Sequence, residues 1–163
     1  MDVRKAQLED SKQITEIYNY YVENSHSTFE TEPLEIVEMK MRIAETIENY
    51  PFFVCVQNGE ILGYAYAAQY KSRCAYKNSV EVSVYVKNST SGKGIGTLLY
   101  EKLFAEQLFK TDVHAIIAGI ALPNEASIKL HEKCGFEKVA HFREVGFKFG
   151  RWIDVGYWEL LNK

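Results

Sequence analysis

The sequence has little cysteine, no excess of positive charge and no long apolar run. Its three cysteines (Cys55, Cys74 and Cys134) are odd in number and form no CxxC pair, which indicates neither a disulfide framework nor a zinc site. We therefore expect no bound metal. The formal net charge of −3 at pH 7 argues against nucleic-acid binding, which normally needs a basic surface. No stretch of about 18 apolar residues occurs, so we expect no membrane span.

The composition fits a single domain spanning residues 1–163. Its 47% hydrophobic content is sufficient for a sizeable core. The first residues, MDVRKAQLEDS, lack the apolar core of a signal peptide, and we expect a cytoplasmic protein. No repeat, low-complexity tract or linker interrupts the chain.

Hydrophobic periodicity and turn signals predict an α/β domain with the element order β-α-α-β-β-β-α-β-α-β-β. Asp10 with Gln13 resembles a capping box ahead of the first helix, and Pro33 is expected to open a second helix that runs to about residue 48. Asn58-Gly59 predicts a β-hairpin turn. The predicted strands are 3–6, 53–57, 61–70, 80–87, 113–120, 136–149 and 152–161, and the later helices run to about 109 and over about 124–133.

A strand, a glycine-rich loop and a helix follow one another near the middle of the chain. Glycines alternate at Gly92, Gly94 and Gly96, where they permit positive φ and close approach of a ligand to the backbone. This succession aims several N–H groups and a helix N-terminus at one point, which suits a phosphate or pyrophosphate.

The spacing of the loop excludes two common nucleotide motifs. Lys93 is followed by glycine, so the loop is not GxxxxGK[ST], and GxGxG is not the dinucleotide fingerprint GxGxxG. The loop alone leaves its ligand open, and an ordinary glycine-rich helix start remains the alternative.

Together, the element order and the loop resemble the GCN5-related N-acetyltransferase (GNAT) superfamily, whose [QR]xxGx[GA] motif holds the pyrophosphate of acetyl-CoA. Ser91 stands where Gln or Arg is usual. The segment NEASIKLHEKCGF (residues 124–136) resembles a second motif, with His131 at a position usually held by Tyr. The resemblance implies a mixed, mostly antiparallel sheet that is flanked by helices and splayed at the acetyl-CoA site. The implied cofactor-binding residues are Val84, Tyr85, Val86, Ser91, Gly92, Lys93, Gly94, Ile95, Gly96 and Asn124.

The chain is most similar to the phosphinothricin acetyltransferase branch. The similar segments include TFETEP (28–33), GYAYAAQYKSRCAY (63–76), VEVSVYV (80–86) and GFKFGRWIDVGYW (146–158). The branch implies acetyl-CoA-dependent acetylation of the α-amino group of a small amino-acid-like acceptor by direct attack in a ternary complex. Phosphinothricin, methionine sulfoximine and methionine sulfone are the implied acceptors. It also implies a homodimer formed with the aromatic tail.

Two residues are candidates for proton transfer. Glu81 interrupts an apolar strand, and a partly buried carboxylate has a raised pKa that makes it a usable base. The resemblance assigns the base to this position, directly or through a water, and a solvent-facing glutamate is the alternative. In the superfamily, the residue matching His131 protonates the CoA thiolate. Water as the donor, or a purely structural histidine, remains open.

The acceptor site is expected at Lys71, Arg73 and Tyr76, with Phe29 in a second family-like segment. Two cations and a phenol suit the anionic end of a substrate, and a solvated charged loop is the alternative. Two other functions remain open. One is acetylation of a different amine (a polyamine, an antibiotic or a protein N-terminus), although a basic pocket argues against polycations. The other is a non-catalytic acetyl-CoA-binding module.

Overall fold

Strands and helices follow the predicted order along residues 1–106 and 108–163, which the computed structural model describes. The strands are β1 (Asp2–Lys5), β2 (Phe52–Gln57), β3 (Glu60–Gln69), β4 (Ser79–Val86), β5 (Ala115–Ala121), β6 (Glu137–Lys148) and β7 (Arg151–Leu161). The helices are α1 (Ser11–Asn24), α2 (Ile36–Asn49), α3 (Ile95–Glu106) and α4 (Glu125–Lys133). None of the helices described is long and apolar enough to cross a membrane.

The strands form one mixed sheet in the order β1-β2-β3-β4-β5-β7-β6. Every neighbouring pair is antiparallel except β4 and β5, which run parallel. The parallel pairing joins only residues 79–81 of β4 to residues 115–117 of β5, although both strands continue further. Beyond Glu81 the two strands diverge. The predicted α/β class, the mostly antiparallel sheet and its splay are all confirmed.

The two faces of the sheet bury separate cores. Leu99 and Leu103 of α3 pack on one face with Trp158 of β7. Ile14 of α1 and Ile43 of α2 pack on the other, over β2 and β3. Along each strand, alternate residues enter alternate cores, so Val80 and Val82 of β4 face α3 while Glu81 and Ser83 face the opposite side.

The start of α2 and the cap of α1 differ from the prediction. Helix α2 begins at Ile36 and not at Pro33, because Glu35 and Glu38 form the capping box and the Glu35 N–H donates to Glu38 Oε2 at 3.1 Å. The predicted capping box of Asp10 with Gln13 is wrong, since the Asp10 side chain makes no cap hydrogen bond to α1.

The Asp10 carboxylate binds Arg4 instead. Nη1 and Nη2 of Arg4 donate to Oδ2 and Oδ1 of Asp10, each at 2.8 Å. Gln13 reaches the β2–β3 hairpin, where its Oε1 accepts from the Ile61 N–H at 2.8 Å. The turn of that hairpin has positive φ at Asn58 (51°) and Gly59 (78°), as the Asn-Gly pair predicted.

Candidate active site

The divergence of β4 and β5 opens a cleft of about 470 Å³ between these strands and the N-terminal ends of α3 and α4. Every predicted cofactor-binding residue lines it except Lys93, whose side chain is exposed to solvent beside the loop. His131 also lines it. The sequence-predicted set is therefore brought together in space, although its members span residues 84 to 131.

The glycine loop presents main-chain N–H groups to this cleft. Gly92 and Gly94 have φ values of 82° and 76°, and a Cβ on either would meet no atom within 4 Å. The carbonyl of Gly94 accepts the first intrahelical bond of α3, from the Leu98 N–H at 3.1 Å. The N–H groups of residues 95–97 therefore have no partner within the helix. Such a helix N-terminus suits an anion the size of a pyrophosphate.

The third glycine has a packing role. A Cβ on Gly96 would lie 2.8 Å from Cδ2 of Leu130, so a larger residue here would displace the end of the Leu130 side chain. Gly96 and Leu130 both line the cleft, so α3 and α4 pack together at its wall.

Backbone N–H groups of β4 also reach the cleft, and their direction follows from the β3–β4 register. The Lys87 N–H donates to Leu62 O of β3 at 2.8 Å. Because successive residues of a strand point their N–H groups to opposite sides, those of Val84 and Val86 face away from β3, towards the divergence. The N–H of Tyr85 faces β3. Of the three residues predicted to bind the cofactor through their backbone, only Val84 and Val86 therefore direct their N–H groups towards the cleft.

Asn124 serves both as a helix cap and as a lining residue. Its Oδ1 accepts from the Ser127 N–H at 3.1 Å, which caps α4. Its Nδ2 donates to Ser27 Oγ at 3.4 Å. The cap thereby ties the segment after α1 to the rim of the cleft.

Both ring nitrogens of His131 are engaged within the protein. Nδ1 donates to the Ser127 carbonyl at 2.7 Å, which leaves Nε2 to accept from the Tyr100 hydroxyl at 2.8 Å. Burial lowers the pKa of His131, so the ring is neutral at neutral pH. It carries no proton directed at the cleft, an arrangement that disfavours the predicted donation to a thiolate.

Glu81 lies where the cleft begins. It is the last residue of β4 that pairs with β5, opposite Ile117. Burial raises the pKa of its half-buried carboxyl above the ordinary value. Its Oε1 lies 3.7 Å from where a Cβ on Gly119 would stand, and Gly119 itself lines the cleft. A carboxylate with a raised pKa therefore stands beside the cleft, an arrangement suited to general base catalysis.

Three of the four predicted acceptor residues form a second, exposed recess after β3. Lys71, Arg73 and Tyr76 line it together with Ser72. The Lys71 Nζ lies 5.7 Å from the centre of the Tyr76 ring, within the range of a cation–π contact. Phe29 lies apart from this recess and packs against Gly146 of β6.

Some lining residues carry no signal in the sequence. Tyr21 of α1 lines the cleft, and its hydroxyl donates to the Val86 carbonyl. Ser27 and Gly119 line it from other parts of the chain. Their positions depend on tertiary packing and not on local pattern.

Comparison with known proteins agrees with this geometry. Residues 3–156 match the family described as acetyltransferase (GNAT) domain. The chain is 44% identical to a phosphinothricin N-acetyltransferase of Streptomyces coelicolor, over 98% of this chain and 95% of that one. It is 35% identical to an L-methionine sulfoximine/L-methionine sulfone acetyltransferase of Salmonella typhimurium, over 98% and 94% of the two chains.

Solved structures give the same result. An N-acetyltransferase from Staphylococcus aureus superposes with a TM-score of 0.96 at 35% identity, covering 99% of this chain and 98% of that one. A phosphinothricin acetyltransferase from Sinorhizobium meliloti in complex with acetyl-CoA superposes with a TM-score of 0.94 at 35% identity, covering 98% and 87%. The fold, the cleft and these relatives agree: the chain belongs to the GNAT acetyltransferase family.

Proposed function

We propose that the protein transfers the acetyl group of acetyl-CoA to the α-amino group of a small amino-acid-like acceptor of the phosphinothricin, methionine sulfoximine or methionine sulfone type. The observation that carries this proposal is the half-buried carboxylate of Glu81 beside a cleft lined by main-chain N–H groups. Relatives that bear these names and match nearly the whole chain support the acceptor class.

The chain's own groups account for each step. The N–H groups at the start of α3 bind the pyrophosphate, and those of Val84 and Val86 hold the pantetheine arm and the acetyl carbonyl. Glu81 removes a proton from the acceptor, because an α-amino group with a pKa near 8 is largely ammonium at neutral pH. The free amine then attacks the thioester carbon. An N–H of β4 stabilises the charge that develops on the carbonyl oxygen.

The attacking nitrogen loses its second proton as the intermediate collapses, and in this proposal water carries that proton to the departing CoA thiolate. His131 offers none, since its Nδ1 proton is bonded to a carbonyl and its Nε2 accepts from Tyr100. We assign it the role of a neutral packing partner that orients the Tyr100 ring at the wall of the cleft.

The basic recess selects acceptors with an anionic end, which argues against polyamines. Replacing Arg73 with alanine is expected to raise KM for the acceptor by about tenfold, because hydrogen bonds to charged groups contribute about 1.5–3 kcal/mol. KM for acetyl-CoA should stay the same. Steady-state kinetics with each substrate varied in turn measures both values.

Lys77 supplies a matched control for Arg73. It is an exposed cation in the same loop but lies outside the recess. Lys77→Ala should leave both KM values unchanged. An equal rise in the acceptor KM for the two variants would contradict specific binding at Arg73.

We further propose that two copies associate through the β6–β7 hairpin. Exposed apolar side chains are concentrated on both faces of this hairpin at the edge of the sheet, and such a concentration is typical of an interface between subunits. They are Val139, Phe142, Val145, Phe147, Phe149 and Trp152.

A charge placed among these side chains is expected to separate the subunits. Val145→Asp should convert a dimer to a monomer in sedimentation velocity, because an aspartate buried at an apolar interface loses its hydration. Val37 of α2 is the control, as it is 63% exposed against 61% for Val145. A parent protein that sediments as a monomer would refute the dimer, and an effect of Val37→Asp equal to that of Val145→Asp would refute this location.

An acceptor panel tests the substrate class. We expect kcat/KM to be highest for α-amino acids with a second anionic or sulfoximine-type end, and lowest for polyamines and peptides. The reverse ranking would favour the alternative of a different amine.

A further inference from the structure

An aromatic residue of β7 lies on the same face of the sheet as Glu81. In the parallel pairing, Glu81 stands opposite Ile117 of β5. Gly119 follows two residues later on that face, and Tyr157 stands directly opposite Gly119. Glu81 and Tyr157 therefore project from one face, on either side of a position that has no side chain.

The ring of Tyr157 lies over one side of Gly119, which stays exposed where it lines the cleft. A Cβ on Gly119 would lie 3.1 Å from Cε1 and 3.5 Å from Cζ of Tyr157, and 3.7 Å from Oε1 of Glu81. Because Cε1 and Cζ belong to the hydroxyl end of the ring, the ring leans along the sheet over Gly119, towards the carboxylate. Phe142 of β6 packs edge-on against the ring with 5.6 Å between the centroids, which holds this orientation.

We infer that Tyr157 is a positioning residue for Glu81: the Tyr157 ring shields the side of the carboxylate that faces β7 from water and holds that carboxylate at the mouth of the cleft. The inference rests on the proposed role of Glu81 as the base. It assigns to Tyr157 a function in catalysis that acts through Glu81 and not through contact with the reacting atoms.

The electrostatic surroundings of Glu81 agree with shielding from water. Burial raises the pKa of its carboxyl. Tyr66 of β3 and Tyr157 of β7 interact electrostatically with it, and both phenols have pKa values raised mainly by burial. Neutral phenols do not pair with the carboxylate as a cation would. The basicity of Glu81 therefore depends on how much water reaches it, and the Tyr157 ring controls one side.

The pH dependence of kcat/KM for the acceptor tests this inference. Tyr157→Ala admits water beside Glu81, so the pKa of the carboxyl falls towards its ordinary value. The acidic limb of the profile should then move to lower pH, and kcat should fall by about tenfold because the base is weaker and less well oriented. Tyr157→Phe keeps the ring, so its acidic limb should coincide with that of the parent.

Two controls separate this effect from general damage. Leu161→Ala trims an exposed apolar residue of the same strand and should leave the limb in place. In the Glu81→Gln background, Tyr157→Ala should reduce the residual rate little further, because both changes act through one carboxylate. Thermal unfolding and acetyl-CoA affinity establish that each variant is folded and has an intact cleft.

The outcomes distinguish this inference from the proposed function. If Glu81→Gln keeps full activity, the base assignment fails and Tyr157 has no base to position. If Glu81→Gln is inactive and Tyr157→Ala keeps the parent's acidic limb, the base assignment stands and the positioning role is refuted. A Tyr157→Phe variant whose limb shifts as far as that of Tyr157→Ala would also refute shielding by the ring.

Discussion

Glu81→Gln is expected to lower kcat by about 10²- to 10⁴-fold at neutral pH, the range typical of a lost general base. Glutamine has nearly the same shape as glutamate, so the strand and the cleft should persist, but its amide cannot accept the ammonium proton. KM for acetyl-CoA should change little, because Glu81 does not line the cleft that holds it. Steady-state kinetics over a range of pH values measures the loss.

The pH dependence of kcat/KM should show in which direction the pKa of Glu81 is shifted. Burial raises the pKa of Glu81. As the pH is lowered, kcat/KM of the parent should therefore begin to fall at a higher pH than it would with an ordinary carboxylate as the base. This acidic limb should disappear in Glu81→Gln. Glu137→Gln, at an exposed strand position, is the control and should keep both the rate and the limb. Full activity of Glu81→Gln at neutral pH would exclude the base assignment.

Gly94→Ala is expected to weaken acetyl-CoA binding by about tenfold or more, equivalent to at least about 1.4 kcal/mol. The left-handed φ of 76° at Gly94 disfavours any Cβ. The added methyl group would also stand in the open space through which a ligand approaches the loop. Both effects displace the N–H groups that start α3. Calorimetric titration with CoA measures the affinity without depending on catalysis.

Gly59 provides a closely matched control for Gly94. Its φ is 78°, and a Cβ there would also meet no atom within 4 Å, but it lies in the β2–β3 turn. Gly59→Ala should lower the free energy of unfolding by about 1 kcal/mol, as Gly94→Ala does, because the backbone strain is the same. It should leave the affinity for CoA unchanged. If Gly94→Ala binds CoA as tightly as the parent does, the loop is not the pyrophosphate site.

Local sequence signals were sufficient for the element order and for the glycine loop, whereas the other predicted residues of the cleft came from the family resemblance. The alternation of Val80, Val82 and Val84 marks β4, and Asn58-Gly59 marks a turn, because each depends on neighbours close in sequence. The glycine loop is recognisable for the same reason, since its conformation is fixed by residues within it. Element boundaries were less accurate: Pro33 favours a helix start, but the Glu35–Glu38 capping box places it three residues later.

Side-chain contacts between separate elements could not be predicted in this way. Arg4 takes Asp10 away from the cap of α1, and Tyr100 engages His131 across 31 residues. The sequence contains these residues but does not show which of them pair, because the pairing depends on how strands and helices pack. The role proposed for His131 differs from the one the sequence predicted for this reason, because the Tyr100 hydroxyl occupies the nitrogen that a proton donor would need. The position of Tyr157 on the same face of the sheet as Glu81 likewise follows only from the β4–β5 and β5–β7 registers.

Amine-dependent release of the CoA thiol tests the central claim most directly. Purified protein is mixed with acetyl-CoA and either phosphinothricin or methionine sulfoximine. A colorimetric reagent measures the released thiol, and mass spectrometry identifies the acetylated product by its mass. The account predicts one thiol released for each N-acetylated acceptor, with Glu81→Gln nearly inactive under the same conditions. Tight binding of acetyl-CoA without thiol release for any amine would contradict it.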